Sequence, residues 1–468
     1  MAKRYKVGSS NSSGRATSSL SYATEKTVPE VAGLLGKIDL PLHRIDEKSI
    51  VSRKIDTLII GAGQAGIATS RHLIELGVPH VVVERDRIAE RWRSQRWDSL
   101  VANGPAWHDR FPELEFPGIG ADDFATKSQT VDYFIEYANR YNAPIEEGVA
   151  VSEVVRNSKR SGFNVGTSDG ILEAQRVVVA TGPFQNPAIP PIAKSYHDIF
   201  QIHSSEYKNP QQLPEGNVLV VGAGSSGVQI SDELQRAGRQ VYLSVGPHDR
   251  PPRSYRGRDF VWWLGVLGLW DLETVEPGKE HVTISVTGSY GGFTIDFRQL
   301  AERGITLLGQ TQAFEGKTIR FQDDLNRNIR AGDASYLSLL DAADAYVDRN
   351  DIDLPLEPKA REMLPDPLCM KHPIRELDMT EKCIGTVIWA TGFSSDYSWL
   401  QVDALDEAGK PRHQRGVSSE PGVYFVGLPW LSRRGSSFIW GVWHDAKHIA
   451  GHIATRRQYE AYRTSGED

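Results

Sequence analysis

The chain has 468 residues, room for about three domains at ordinary domain size. Its hydrophobic fraction of 40%, charged fraction of 24% and net charge of -7 fit a globular protein and supply no basic surface for nucleic acid. Cysteine occurs only at Cys369 and Cys383, which excludes a disulfide framework, a cysteine zinc site and a redox dithiol early in the chain. That usage fits a reducing, cytoplasmic setting. No H-E-x-x-H or similar cluster appears among the histidines, so no metal site is expected.

Residues 1–50 read as a partly disordered N-terminal extension. It carries Lys3, Arg4, Lys6 and Arg15, many serines, and no acid before Glu25. That composition fits both an organelle transit peptide and a polar tail. Ordered structure is expected from IDTLII at 55–60, a buried-strand run. It leads into Gly61-Ala62-Gly63-Gln64-Ala65-Gly66, a helical pattern to Leu76, a stop at Gly77, and the strand HVVVE at 80–84 ending on Glu84. The plan repeats further on. VLVV at 218–221 leads into Gly222-Ala223-Gly224-Ser225-Ser226-Gly227, a helix to about Ala237, a stop at Gly238, and the strand QVYLSV at 240–245.

Each copy is a β-α-β unit with G-x-G-x-x-G in its first turn. Glycine is needed for the tight turn, for the approach of pyrophosphate to backbone, and for packing of helix on strand. The helix N-terminus then offers free N–H groups to the phosphates. One such motif is weak, but two complete units in one chain point to two bound dinucleotides. Glu84 stands where an acid hydrogen-bonds a ribose hydroxyl, as for FAD or NAD. The second unit has Ser244 and Val245 there. The missing acid admits the 2′-phosphate of NADPH, with Arg250 and Arg253, and His248 beside them, expected to pair with it.

RVVVATG at 176–182 and TVIWATG at 386–392 end in Ala180-Thr181-Gly182 and Ala390-Thr391-Gly392, expected crossings between two dinucleotide domains. The expected architecture is α/β, with two Rossmann-like domains. The FAD domain spans 51–212 and 370–468, and an NADPH domain at 213–369 is inserted in it. The aromatic run Phe260–Trp270 has 11 residues and two glycines, too short to span a membrane; a packed wall of the second domain is expected, with the lining of a substrate entrance or contact with a membrane surface left open. VYFVG at 423–427, then Arg434-Gly435-Ser436-Ser437-Phe438 and a helix to about Thr455, would hold a flavin ring system.

With these motifs, residues 55–455 resemble the class B flavin monooxygenases, which include flavin-containing, Baeyer–Villiger and plant auxin-forming enzymes. Trp92-Arg93, WDSLVANGPAW at 97–107 and HSSEY at 203–207 also carry the resemblance. It implies cofactor contacts at Trp92 and Arg93 and an active-site amide at Asn103. It also implies a cycle in which NADPH reduces FAD, O2 adds to give a C4a-hydroperoxyflavin, and one oxygen atom reaches a small molecule. The chain departs from the family where Phe-x-Gly-x-x-x-His is expected. His197 and Ile199 occupy the first two places and only His203 remains, which argues against a standard Baeyer–Villiger enzyme. Ile88-Ala89-Glu90-Arg91 replace a pair of family glycines. Oxygenation at nitrogen or sulfur is therefore expected. Oxidative decarboxylation of a 2-oxo acid, Baeyer–Villiger oxidation and an NAD(P)H oxidase without oxygen transfer stay open, as does a homodimer.

Overall fold

Two parallel sheets organise the protein, and each grows from one of the glycine-turn units. The computed structural model describes residues 53–158, 161–195, 199–273 and 283–462. The N-terminal extension, residues 1–50, and His197 lie outside the described residues. The first strand, Arg53–Ile60, pairs in parallel with His80–Glu84 on one side and Gly170–Val179 on the other. Ile145–Glu147 and Val423–Phe425 extend this parallel set at its two ends. Val151–Arg156 and Phe163–Thr167 add antiparallel strands. Strands covered on both faces read as unbroken apolar runs, and Leu58, Ile59, Val82, Val83, Val177 and Val178 are all fully buried.

The second sheet has five strands in the order Thr306–Leu308, Val241–Ser244, Asn217–Val221, Ile384–Trp389, Phe200–His203, all parallel. Two of them, Phe200–His203 and Ile384–Trp389, come from outside 213–369. Strand pairing thus widens the second unit on both sides of the expected boundaries. The cause is hydrogen bonding: the edge of Asn217–Val221 left open by Val241–Ser244 is filled by Ile384–Trp389.

The helix Gln64–Glu75 follows the first turn and Ser225–Arg236 follows the second. Both stop one residue before their expected ends. The last helix, Ile439–Ala461, lies against Gln64–Glu75, and the two share an apolar cluster that includes Ile67, Leu73, Val442, Trp443 and Ile449. The aromatic run forms a helix, Phe260–Val266, and a following turn; Phe260, Val261, Trp263, Leu264 and Trp270 are buried, as expected of a packed wall. Among the described residues no helix is long and apolar enough to cross a membrane.

Candidate active site

The two glycine turns open into one cavity of about 1220 Å³. That exceeds the roughly 300–1,000 Å³ that suits a single small ligand. Gly61, Gly63, Gln64, Glu84, Trp92, Asn103, Gly224, Ser225 and Ser226 all line it.

The turns are built alike. Gly61 and Gly222 have φ of 108° and 110°, a conformation that side chains rarely tolerate. A Cβ at Gly61 would lie 2.7 Å from the Ala180 carbonyl oxygen, and one at Gly222 would lie 2.4 Å from that of Ala390. Each Ala-Thr-Gly segment therefore backs the turn of its own sheet. Gly66 and Gly227 let each helix start press on its turn, since a Cβ there would stand 1.9 and 1.8 Å from the carbonyl oxygens of Gly61 and Gly222. These glycines shape the cradle from behind. Ala180, Thr181, Gly182, Ala390, Thr391 and Gly392 reach the cavity. The segments after them run side by side, Asn186–Pro187 pairing with Phe393–Ser394, so the expected crossings form one two-stranded ribbon.

Glu84 accepts from the Ala62 N–H at 2.7 Å and the Asp86 N–H at 3.1 Å, and each carboxylate oxygen keeps a lone pair for a ribose hydroxyl. The first turn fits an FAD adenosine: positive-φ glycine, free helix N–H groups and a fixed acid. Gln64 donates to the Ser437 carbonyl at 2.7 Å, tying this turn to the start of the last helix. On the second turn, Ser225 donates to the Ile284 carbonyl at 2.8 Å and Ser226 stands beside it on the cavity wall.

Four expected contacts are corrected. Arg250 is 2% exposed and donates to Asp333 at 2.6 and 2.9 Å, where Arg298 also donates. Arg253 is buried and grips both oxygens of Asp259 at 2.6 Å. Neither lines the cavity, and a cofactor phosphate would have to displace an acid already bound. His248 is buried against Phe297. Arg93 turns toward the Ile88 carbonyl at 3.3 Å, away from the cavity. Trp92 on the short helix Glu90–Ser94, and Gln95 and Arg96 just after its end, line the cavity instead. Arg96 packs over Trp92 and Phe184 with no acid partner among the described residues, and burial, with Arg91 nearby, pulls its guanidinium down to about 10.

Asn103 sits on the cavity wall with its orientation determined. The Val286 carbonyl can only accept, so the Gln229 group that meets it at 2.7 Å is the amide N–H. The same Nε2 donates to Asn103 Oδ1 at 2.9 Å, which leaves Asn103 Nδ2 as the unengaged end. Arg253 donates to the Asn103 carbonyl at 2.7 Å, so its role is to hold this loop. Gln229 was legible as the residue one turn after Ser225 and Ser226 on the same helix face. His203 is fully buried; its Nε2 donates to the Gly392 carbonyl at 2.9 Å and its Nδ1 meets Ser205 Oγ at 2.9 Å. Burial keeps that imidazole neutral below its usual range, and it fastens the second crossing.

Arg434 was expected only as part of the segment holding the flavin ring, and His108 with Asp109 was missed outright. Arg434 lines the cavity without an ion pair among the described residues; burial lowers its proton affinity against the opposing charge of Asp249. His108 and Asp109 follow directly on the WDSLVANGPAW segment and also line the cavity.

Two dinucleotide turns facing one cavity, with an oriented amide between, define a flavin- and nicotinamide-dependent oxidoreductase. Residues 58–258 match the model of the pyridine nucleotide-disulphide oxidoreductase family. Over 423 residues the chain is 36% identical to a probable indole-3-pyruvate monooxygenase, YUCCA9 of Arabidopsis thaliana, covering 87% of this chain and 90% of that one. An uncharacterized CzcO-like oxidoreductase of Geobacillus kaustophilus is also 36% identical, covering 85% and 98%. The fold matches a flavin-containing monooxygenase from Stenotrophomonas maltophilia with a TM-score of 0.60 at 18% identity, covering 86% of this chain and 99% of that one. The chain belongs to the class B flavin monooxygenases, oxidoreductases that work with FAD, NADPH and O2.

Proposed function

We propose that the protein transfers one oxygen atom of O2 to nitrogen or sulfur in a small, largely apolar molecule. The observation that carries this reading is Asn103 on the shared cavity wall, its Oδ1 held by Gln229 and its Nδ2 left to donate. Bound flavin supplies electron transfer and oxygen activation. The chain supplies the rest. The Gly61–Gly66 turn and Glu84 hold FAD, and the Gly222–Gly227 turn with Ser225 and Ser226 holds the nicotinamide dinucleotide. Asn103 Nδ2 stabilises negative charge as it develops on oxygen, without itself titrating. Phe260, Leu264, Leu269, Trp270 and Leu339 form an apolar wall that keeps water from the reacting atoms.

A second reading has its own support. The Arg434 guanidinium, without an ion pair among the described residues, suits a substrate carboxylate, and relatives include probable indole-3-pyruvate monooxygenases, so oxidative decarboxylation of a 2-oxo acid is the alternative. FAD-loaded full-length protein given NADPH and 18O2 decides. N-methylbenzylamine or thioanisole carrying heavy oxygen in the product supports the proposal. Carbon dioxide released from phenylpyruvate, with neither of those oxygenated, supports the second reading. Peroxide formed in step with NADPH, with no labelled product, overturns both in favour of an oxidase.

A further inference from the structure

Beside Asn103, the cavity wall holds an acid–imidazole pair. His108 is 6% exposed, and its Nδ1 meets Asp109 Oδ1 at 2.8 Å. The other oxygen of Asp109 accepts from the Gly104 N–H at 3.0 Å. Asp109 thus fastens His108 and the turn carrying Asn103 to one carboxylate. A Cβ at Gly104 would fall 2.4 Å from that carboxylate, so the pair is also sterically locked. With the carboxylate on Nδ1, the neutral imidazole carries its proton there, and Nε2 presents a lone pair. Yet Nε2 is buried with no hydrogen-bond partner among the described residues. The ring packs against Trp270 and Trp440, at 5.5 and 5.6 Å and 26° to each, and the two tryptophans themselves lie 6.1 Å apart. A buried unpartnered nitrogen costs stability, and a ligand that bonds it recovers that cost. The charged neighbours are Asp109 itself and Arg253, whose proton Asp109 helps to retain.

We propose that His108 accepts the proton of a substrate N–H, so that the cavity is built for primary and secondary amines. This deepens the nitrogen-oxygenation reading and rests on it. As the N–O bond forms, the O–O bond and the N–H bond break, and the N–H proton passes to Nε2. It is then returned to the second oxygen atom, which leaves as water with a second hydrogen supplied by the NADPH reduction and its accompanying proton. O2 is the oxidant and NADPH the two-electron reductant. A tertiary amine has no such proton and does not need His108.

The test compares N-methylbenzylamine with N,N-dimethylbenzylamine on FAD-loaded full-length protein with NADPH and O2. His108→Gln is expected to lower secondary-amine oxygenation about 100-fold relative to the tertiary amine, in line with the loss of a general base. Asp109→Asn keeps the shape and is expected to shift the same ratio about tenfold, so a misfolded His108→Gln protein does not stop the test. Independently of turnover, 15N NMR of histidine-labelled protein is expected to show the His108 proton on Nδ1, and to lose that preference in Asp109→Asn. Equal losses on both amines, or a proton on Nε2, overturn the role of His108 alone. If the wild-type protein oxygenates neither amine, the nitrogen-oxygenation reading falls and this inference with it.

Discussion

Asn103 owes its usefulness to a neighbour on another element. Its amide could present either end to the cavity, and the Val286–Gln229 chain of hydrogen bonds selects Nδ2. Gln229→Met keeps the volume and removes that selection. Losing one neutral hydrogen bond is worth about 1 kcal/mol, so product formed per NADPH is expected to fall about fivefold. Asn103→Leu removes the donor itself and is expected to lose about 100-fold or more. Coupling measured as product against peroxide checks both; a loss in Gln229→Met equal to that in Asn103→Leu would show that Gln229 does more than orient. Arg250 belongs to the opposite class. Arg250→Met leaves Asp333 paired with Arg298 but strips both donors from its buried Oδ1, a change that costs roughly 1–3 kcal/mol. A clear drop in melting temperature with an unchanged preference for NADPH over NADH is expected. Asn103 was singled out by the segment that resembles the family's, and the fold places it on the cavity wall. Arg250 was misread because a sequence shows cations near a strand end but not the acid, Asp333, that reaches it from 83 residues away.

At the level of elements, sequence periodicity succeeded wherever one strand or helix is buried in a single way. His80–Glu84 matches its expected span, and Gln64–Glu75 and Ser225–Arg236 differ by one residue at their ends. Partnering was less legible. Phe200–His203 and Ile384–Trp389 are strands by composition, but only pairing assigns them to the second sheet. Helix contacts bring a testable acid sensitivity. His72 on Gln64–Glu75 lies 4.2 Å, ring to ring, from Trp443 on the last helix, and burial pushes it down to about 4 despite the nearby Glu75. Unfolded, it titrates near 6.5. The unfolded state therefore binds the extra proton first, and stability held above about pH 6.5 is lost as pH falls toward 4. The loss from this one group is about 3 kcal/mol. His72→Gln is expected to narrow the gap in melting temperature between pH 7 and pH 4.5. An unchanged gap would assign the acid sensitivity to other buried histidines such as His203 and His248.

Over the whole molecule, two copies of one cradle face one cavity. The approximate duplication was visible as two G-x-G-x-x-G turns, and both adopt the same strained glycine geometry against an Ala-Thr-Gly segment. What separates them is the strand end: Glu84 at the first, buried Ser244 at the second. That difference predicts separable losses. Gly61→Ala forces a side chain into positive φ and toward the Ala180 carbonyl, so the first cradle closes. The purified protein is then expected to lack flavin absorbance and to melt below the wild type, since ligand at 100 times its Kd stabilises by about 2.7 kcal/mol. Gly222→Ala makes the equivalent collision with Ala390 in the second sheet, away from Glu84 and Gln64. This variant is expected to purify yellow, with full FAD content, while NADPH no longer bleaches it under anaerobic conditions; dithionite still does. Loss of FAD from Gly222→Ala would mean that the cradles fold as one unit. Flavin reduced by NADPH at the wild-type rate would mean that the second cradle is not where the nicotinamide dinucleotide binds.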